Sequence, residues 1–325
     1  MDEKDKKILT ELTLNSRIPI NRLAKKAGIS REVAIYRLNK LIKEKIILEF
    51  YTIIDTEALG FSRYGCLIQL KGMSEEQEKK FIDYLVGHDF ISYLGPIIGK
   101  WDVAFDVLAK NKEQLKKIVS EITGKIPKNL ESYVIVSSGL EFESFPTKIF
   151  GSKKRQETKI KKKEAKIEEK DMKILKMLSK DSRVEYKELA GKLHMSANAI
   201  KYRIQNLEEG GVINGYTIST DKRKLGYEFY NIQIKIVDTR KMEELENFLR
   251  ENSQVIYFYK HLGGENWDMD IGLIAKNSIN LREFIIKIKE FFGDILKIND
   301  IYIIAEESKG DYAPKGIFEM TGYQE

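Results

Sequence analysis

The chain repeats itself at a fixed offset of 166 residues, with no gap between the aligned copies. Asp5-Lys6-Lys7-Ile8-Leu9 aligns with Asp171-Met172-Lys173-Ile174-Leu175, Ser16-Arg17 with Ser182-Arg183, and Leu23-Ala24 with Leu189-Ala190. Further on, Tyr36-Arg37 meets Tyr202-Arg203, Leu59-Gly60 meets Leu225-Gly226, and Trp101-Asp102 meets Trp267-Asp268. A solenoid would repeat every ~20–50 residues. This period is long enough for two small domains, so the chain reads as a covalent pseudo-dimer, and its function should lie in what two copies of one unit do together.

At 325 residues, two or more domains are expected. The single cysteine, Cys66, rules out an internal disulfide framework and suits a reducing cytoplasm. No apolar run reaches the ~18 residues of a membrane span, and the charged start MDEKDKK has no apolar segment behind it. A cytoplasmic protein without a membrane partner is expected. The net charge of +6 is unevenly placed: residues 1–57 carry +3, 151–166 carry +6 and 167–223 carry +2, leaving −5 for everything else. Two basic modules on an acidic body suit a nucleic-acid partner. Solvated lysine faces would give the same count.

Within each repeat the texture changes near the Leu-Gly pair. Residues 5–48 show helical spacing only, with Ile8, Leu9 and Leu12, then Leu23, Ala24 and Ala27, then Ala34, Leu38 and Leu41 as successive apolar faces. Gly28 breaks the chain before the third helix, and Ser30 stands where an N-cap is wanted. The second repeat has the same layout, with a turn at His194-Met195 and Ser196 as the cap. Short β segments follow at 46–54 and 212–218. The rest of each repeat predicts strand, helix, strand, strand, helix, strand: 64–71, 74–86, 90–98, 101–109, 111–124 and 131–137, matched by 229–237, 240–251, 254–262, 267–275, 278–292 and 298–305. That order is ferredoxin-like. Its sheet has one face under helices and one bare face, for which the other copy is the natural partner.

The expected class is α+β: two winged helix-turn-helix domains and two ferredoxin-like βαββαβ domains arranged as a pseudo-dimer. The expected boundaries are 1–57 and 167–223 for the helix-turn-helix domains, 58–150 and 224–325 for the ferredoxin-like domains, and 151–166 for a basic linker. The linker, GSKKRQETKIKKKEAK, is too polar to bury a core and reads as a tether or an exposed helix.

In a helix-turn-helix the third helix enters the major groove of double-stranded DNA, and residues near its N-terminus reach base edges. Ile200 and Ile204 face the core, which turns Ser196, Asn198, Lys201, Tyr202 and Gln205 outward. Asn198 and Gln205 suit adenine, and Lys201 suits guanine or a phosphate. In the first repeat the outward set is Ser30, Arg31, Glu32, Ile35, Tyr36 and Asn39. Arg31 could read guanine, while Glu32 could accept from cytosine or orient Arg31. Arg37 and Arg203 are open between phosphate contacts and internal salt bridges. Because the two heads differ, the preferred site should be an imperfect palindrome.

The pattern Asp171, Ile174-Leu175, Arg183, Leu189-Ala190, Ser196, Arg203, Leu207-Glu208, Gly211-Val212-Ile213 and Leu225-Gly226-Tyr227 resembles the DNA-binding domain of the Lrp/AsnC (feast/famine) regulators. The first repeat departs from it at Glu44-Lys45, where a glycine is usual, so its wing is expected to sit differently. The resemblance implies a transcriptional regulator with an amino-acid effector, and a homo-oligomer of two or four chains. It places the effector near a Gly-x-x-Asp turn, here Gly99, Trp101 and Asp102, and in the second repeat His261, Gly263, Gly264, Trp267 and Asp268. The glycines equally suit ordinary turns, and the aspartates could cap the turn rather than bind an amine.

No cofactor or metal is expected. His88, His194 and His261 are scattered, and no phosphate loop or catalytic carboxylate pair is visible. Two other classes share the architecture. Sirohaem decarboxylases resemble Lrp/AsnC proteins but carry Arg-Pro-Phe and Arg-Arg-Ile-Gly runs where this chain has Ile18-Pro19-Ile20 and Leu48-Glu49-Phe50. A low-specificity chromatin architect would bind phosphates without sequence discrimination.

Overall fold

The computed structural model describes residues 1–152, 155–157, 167–262 and 266–320. The first repeat runs α1 (Glu3–Leu14), α2 (Ile20–Ala27), α3 (Arg31–Lys43), β1 (Ile47–Ile54), β2 (Ser62–Leu70), α4 (Glu75–Val86), β3 (Ile91–Ile98), β4 (Val103–Ala109), α5 (Lys112–Gly124) and β5 (Leu130–Pro146). A 3₁₀ turn at Thr147–Phe150 and a short β6 (Arg155–Glu157) follow, β6 pairing with the end of β5. The rest of the expected linker lies outside the described residues.

The second repeat repeats the order: α6 (Glu169–Lys180), α7 (Tyr186–Lys192), α8 (Ala197–Glu209), β7 (Ile213–Thr220), β8 (Glu228–Ile236), α9 (Met242–Glu251), β9 (Val255–Leu262), β10 (Met269–Ala275), α10 (Ser278–Phe292) and β11 (Leu296–Ile304). A short β12 (Lys309–Gly310) and α11 (Lys315–Met320) close the described chain. The chain partitions into two compact units, each built from both repeats. One holds residues 1–60, 144–225 and 311–325; the other holds 61–143 and 226–310.

The first unit contains both helical trios. The helices form where the spacing predicts them, because each has an apolar stripe and most have a capped start. Asp2 accepts from the Lys4 and Asp5 amides, Ser30 from Val33 N–H and Ser196 from Ala199 N–H. The first core joins Ile8, Leu9, Leu12, Leu23, Leu38 and Leu41 with Phe150 from the 3₁₀ turn and Ile218 from the other repeat. β1 and β7 pair antiparallel, Tyr51 opposite Thr217 and Thr52 opposite Tyr216.

In the second unit each repeat lays two helices over one face of its sheet. Phe81 and Leu85 of α4 and Ile118 and Ile122 of α5 cover Cys66, Ile68, Val103, Phe105 and Val107. Leu245, Leu249, Phe284 and Ile288 cover Ile232, Ile234, Met269, Ile271 and Leu273 in the same way. The two sheets do not stack as separate layers; they join at their edges. Eight strands hydrogen-bond in the order β11-β8-β10-β9-β5-β2-β4-β3, and β11 pairs again with β3, closing an antiparallel ring. The bare face of each sheet thereby becomes the inside of the ring.

The expectation that the first wing sits differently is overturned. Lys45 adopts φ 53°, the left-handed conformation that Gly211 adopts at φ 77° at the equivalent position. The following amides then make equivalent bonds, Ile46 N–H to Leu41 O and Val212 N–H to Leu207 O, both at 2.9 Å. The turn between the second and third helices shows the reverse exchange, with Gly28 at φ 65° and His194 at φ 50°. Side chains at positive φ cost on the order of 1 kcal/mol. Lys45→Gly and His194→Gly should therefore each stabilise the chain by about 1 kcal/mol, read as a higher melting temperature, whereas Gly211→Lys should lower it.

Candidate nucleic-acid interface

The two trios are tied together through a pseudo-twofold set of contacts. Ser16 and Ser182 are fully buried, and their hydroxyl oxygens lie 2.6 Å apart. Ser16 N–H donates to Tyr216 O at 3.1 Å, and Ser182 N–H donates to Phe50 O at 2.9 Å. Arg17 donates to the carbonyls of Ser182 and Val184, and Arg183 donates to Ser16 O. Their guanidinium planes cover Tyr216 and Phe50 respectively, 5.3 and 5.4 Å from the ring centroids. Burial pulls the Arg183 pKa down, and the nearby Arg17 adds to that shift. At the ends of the strand pair, Asp55 N–H reaches Val212 O and Asp221 N–H reaches Ile46 O. The motif matching marked these residues as repeats without revealing that they touch each other.

On α3 and α8 the outward set is where the helical spacing puts it. Arg31, Glu32, Tyr36 and Asn39 are exposed on one helix, and Asn198, Lys201, Tyr202 and Gln205 on the other. Tyr36 and Tyr202, at equivalent positions, are 69% and 65% exposed, far more than a packing role would leave them. Ser30 and Ser196 use their hydroxyl oxygens as helix caps, which sets the start of each helix. The Glu32 carboxyl is held below its ordinary pKa, chiefly by its own backbone N–H and the Ser30 hydroxyl, with Arg31 adding a smaller effect.

Arg37 and Arg203 point the other way. Arg37 pairs with Asp2 at 2.7 Å and Asp5 at 2.8 Å, and Arg203 pairs with Glu168 at 2.8 Å and Asp171 at 2.9 Å. Of the two alternatives open in the sequence, the geometry gives the internal salt bridge: each guanidinium ties its third helix to the start of its first. The Asp5 backbone N–H and then Arg37 hold the Asp2 carboxyl down, from 3.8 to about 2.

The turn residues proposed for an effector are engaged otherwise. Asp102 Oδ2 accepts from Leu70 N–H at 2.7 Å, and Asp268 Oδ2 accepts from Ile236 N–H at 2.8 Å while its other oxygen meets Lys235 at 2.9 Å. Both carboxylates fasten a strand end, the capping alternative. Gly99 is a close-approach glycine, since a Cβ there would stand 2.9 Å from Tyr302 Cβ. Trp101 and Trp267 are buried, and His261 Nε2 lies 2.7 Å from Asp270 Oδ2. Gly263 and Gly264 lie outside the described residues.

This geometry, two winged helix-turn-helix modules with exposed third helices, defines a DNA-binding protein. Residues 1–42 match the AsnC-type helix-turn-helix domain model, and residues 167–214 match a winged helix-turn-helix DNA-binding model. An uncharacterised HTH-type transcriptional regulator of Pyrococcus abyssi is 30% identical over 142 residues, 92% of its own length but 43% of this chain. The regulator LrpA of Pyrococcus horikoshii is 42% identical over 92 residues, 64% of its length and 28% of this chain. The chain belongs to the Lrp/AsnC family of transcriptional regulators, with two copies of the family's unit in one polypeptide. Over its whole length it also shares the fold of the siroheme decarboxylase NirDL, with a TM-score of 0.62, 14% identity, and coverage of 99% of this chain and 97% of that one. No helix among the described residues is long and apolar enough to cross a membrane.

Two outcomes follow for the salt bridges. Arg203→Met should cost about 1 kcal/mol of stability, after allowing for solvent screening, and leave DNA affinity nearly unchanged. A carboxyl with a depressed folded pKa contributes stability that is present above its ordinary ~3.9 and lost as pH falls through its folded value. The parent chain should therefore lose stability between pH ~4 and ~2 more steeply than Asp2→Asn, read by acid titration of the circular dichroism.

Proposed function

We propose that the chain is a sequence-specific DNA-binding regulator that does alone what two chains do in ordinary members of its family. The observation that carries this reading is the β1–β7 pair with its buried Ser16–Ser182 contact, which holds two unlike recognition helices in one unit. Arg31 is the base reader of the first head, with Glu32 holding it. Asn198 and Gln205 read bases for the second head, and Lys201 meets a base or phosphate. Tyr36 and Tyr202 lie against the backbone of the DNA. Arg37 and Arg203 stay within the protein. Along the chain, the bounds 1–57, 58–150, 167–223 and 224–325 divide each repeat into a helix-turn-helix part and a ferredoxin-like part, with 144–150 and 311–325 grouping with the helical unit.

The reading includes three finer points. The chain has no catalytic role: its relatives are named as regulators, and the likeness to a decarboxylase extends to the fold alone. It assembles as two or four chains in the cytoplasm. It answers to a small effector.

Selection of bound fragments from random DNA, followed by footprinting, tests the proposal. The expected result is an imperfect palindrome with half-sites on one face of the duplex, about one turn (~10 bp) or a multiple apart. A single half-site per chain would overturn it. Asn198→Ala should cost roughly 1–3 kcal/mol on the selected site and less on random DNA. Equal losses on both would reduce Asn198 to a backbone contact.

A further inference from the structure

The inside of the eight-stranded ring carries polar chemistry that sheet packing does not require, and most of it lies on one repeat. Tyr230, Ile232 and Ile234 of β8 face the helices, so Asn231 and Gln233 face inward. The register sets Asp300, Gln233, Asp270 and Tyr259 in one row across β11, β8, β10 and β9, with Tyr302, Asn231, Gly272 and Tyr257 in the next. At the 166-residue offset the first repeat has Val134 for Asp300, Leu67 for Gln233, Ala104 for Asp270, Val136 for Tyr302, Gly65 for Asn231 and Gly95 for His261. The same strand positions are therefore served by small or apolar residues in the other copy.

These groups lie close together. Asn231 Nδ2 donates to Tyr257 Oη at 2.9 Å, and the Tyr257 and Tyr259 rings are 4.9 Å apart. A Cβ on Gly272 would fall 2.3 Å from the Tyr257 ring, so the glycine keeps room for it. Asp106 brings Arg63 at 3.2 Å from the first repeat, and Asp106, Asp270 and the hydroxyls of Tyr93, Tyr257, Tyr259 and Tyr302 act on one another electrostatically.

On the second repeat four of the inward atoms are buried without a hydrogen-bond partner among the described residues: Asp270 Oδ1, Asp300 Oδ2, Asn231 Oδ1 and Gln233 Nε2. Asn231 and Gln233 are only 2% and 1% exposed. Buried polar atoms lose water's hydrogen bonds on folding, and most find a replacement. Three of these four are acceptors, two of them on carboxylates, so the complementary group is a donor. Three carboxylates, Asp106, Asp270 and Asp300, face one guanidinium and one imidazole. Tyrosine faces around such a site favour a cation. A ring of eight strands has room for side chains or for one small ligand.

We infer that the ring interior binds a small molecule bearing an ammonium group. Its N–H bonds are directed to Asp270 Oδ1 and to Asn231 Oδ1, diagonal neighbours on adjacent strands. The tyrosines flank the charge, Asp300 adds negative potential on the far strand, and Gln233 Nε2 donates to an acceptor elsewhere on the ligand. The inference stands apart from the DNA reading, since the site lies wholly within the ring unit.

Calorimetry and thermal melting of the full chain test it. The probes are tyramine, agmatine and 1,4-diaminobutane, with 3-(4-hydroxyphenyl)propionate as the matched acid without the amine and iron uroporphyrin as a tetrapyrrole acid. At least one amine should bind with a Kd below ~1 mM and raise the melting temperature. Gln233→Leu with Asp270→Ala installs the residues that the first repeat carries. This double variant should lose amine affinity by about tenfold or more, and it should melt somewhat lower than the parent because Asp270→Ala removes the partner of the buried His261. If it does not fold, the isosteric Asp270→Asn takes its place with the same expected loss. The inference fails if no amine binds up to ~10 mM, if either acid binds as well as the amines, or if the variant retains amine affinity. Failure there with an intact two-half-site footprint would leave the DNA reading standing.

Discussion

The buried contact between Ser16 and Ser182 fixes the first unit. Two small hydroxyls 2.6 Å apart let the backbones come close enough for each serine amide to reach the opposite wing strand. The β1–β7 ladder then follows, and with it the placement of Ile218 in the core of the other repeat. A larger residue at either position would push the wings apart and expose both cores. Arg17 and Arg183 close the edges of the contact, each satisfying carbonyls of the opposite repeat and covering an aromatic ring. The arrangement needs two copies, which is why no single repeat completes it.

Much of the fold was legible because it depends on local periodicity. The six helices of the two trios and the strand–helix order of the ferredoxin-like halves came from apolar spacing and capping residues, with ends within a few residues. What escaped was set by partners far away in sequence. The strand expected at 131–137 runs on because β9 of the other repeat pairs with it as far as Glu143, and it reaches Pro146 because β6 pairs with its last three residues. β12 forms because β11 takes only Ile97 and Ile98 of the β3 edge, which leaves Tyr93 and Leu94 to pair with it, and α11 is too short for its spacing to declare itself. The bare sheet face was foreseen, but its closure into a ring depends on edge pairing that alternation along a strand does not encode.

The candidate site divides in the same way. The exposed faces of α3 and α8 follow from the helix period, which is why Arg31, Asn198, Lys201 and Gln205 stand where reading the helix puts them. The arginines at 37 and 203 share that period, but their partners sit at the other end of the trio, on Asp2, Asp5, Glu168 and Asp171. The turn aspartates matched a family pattern while fastening the ends of the neighbouring strands β2 and β8. Missing altogether was the inward row on β8 to β11, whose polar residues come together only when the ring closes.

The exchange of glycine and side chain at the two left-handed turns, Gly28 against His194 and Lys45 against Gly211, marks the copies as having drifted independently. Covalent fusion changes the arithmetic of that drift. In a symmetric homodimer every substitution occurs twice, so a reading-head change that weakens one half-site by some free energy weakens the complex by twice that amount. In this chain the same change falls on one half-site only, and the unaltered head holds the complex while the other tries a new contact. A tandem regulator can therefore walk its target sequence away from symmetry in steps half as large as a symmetric homodimer must take.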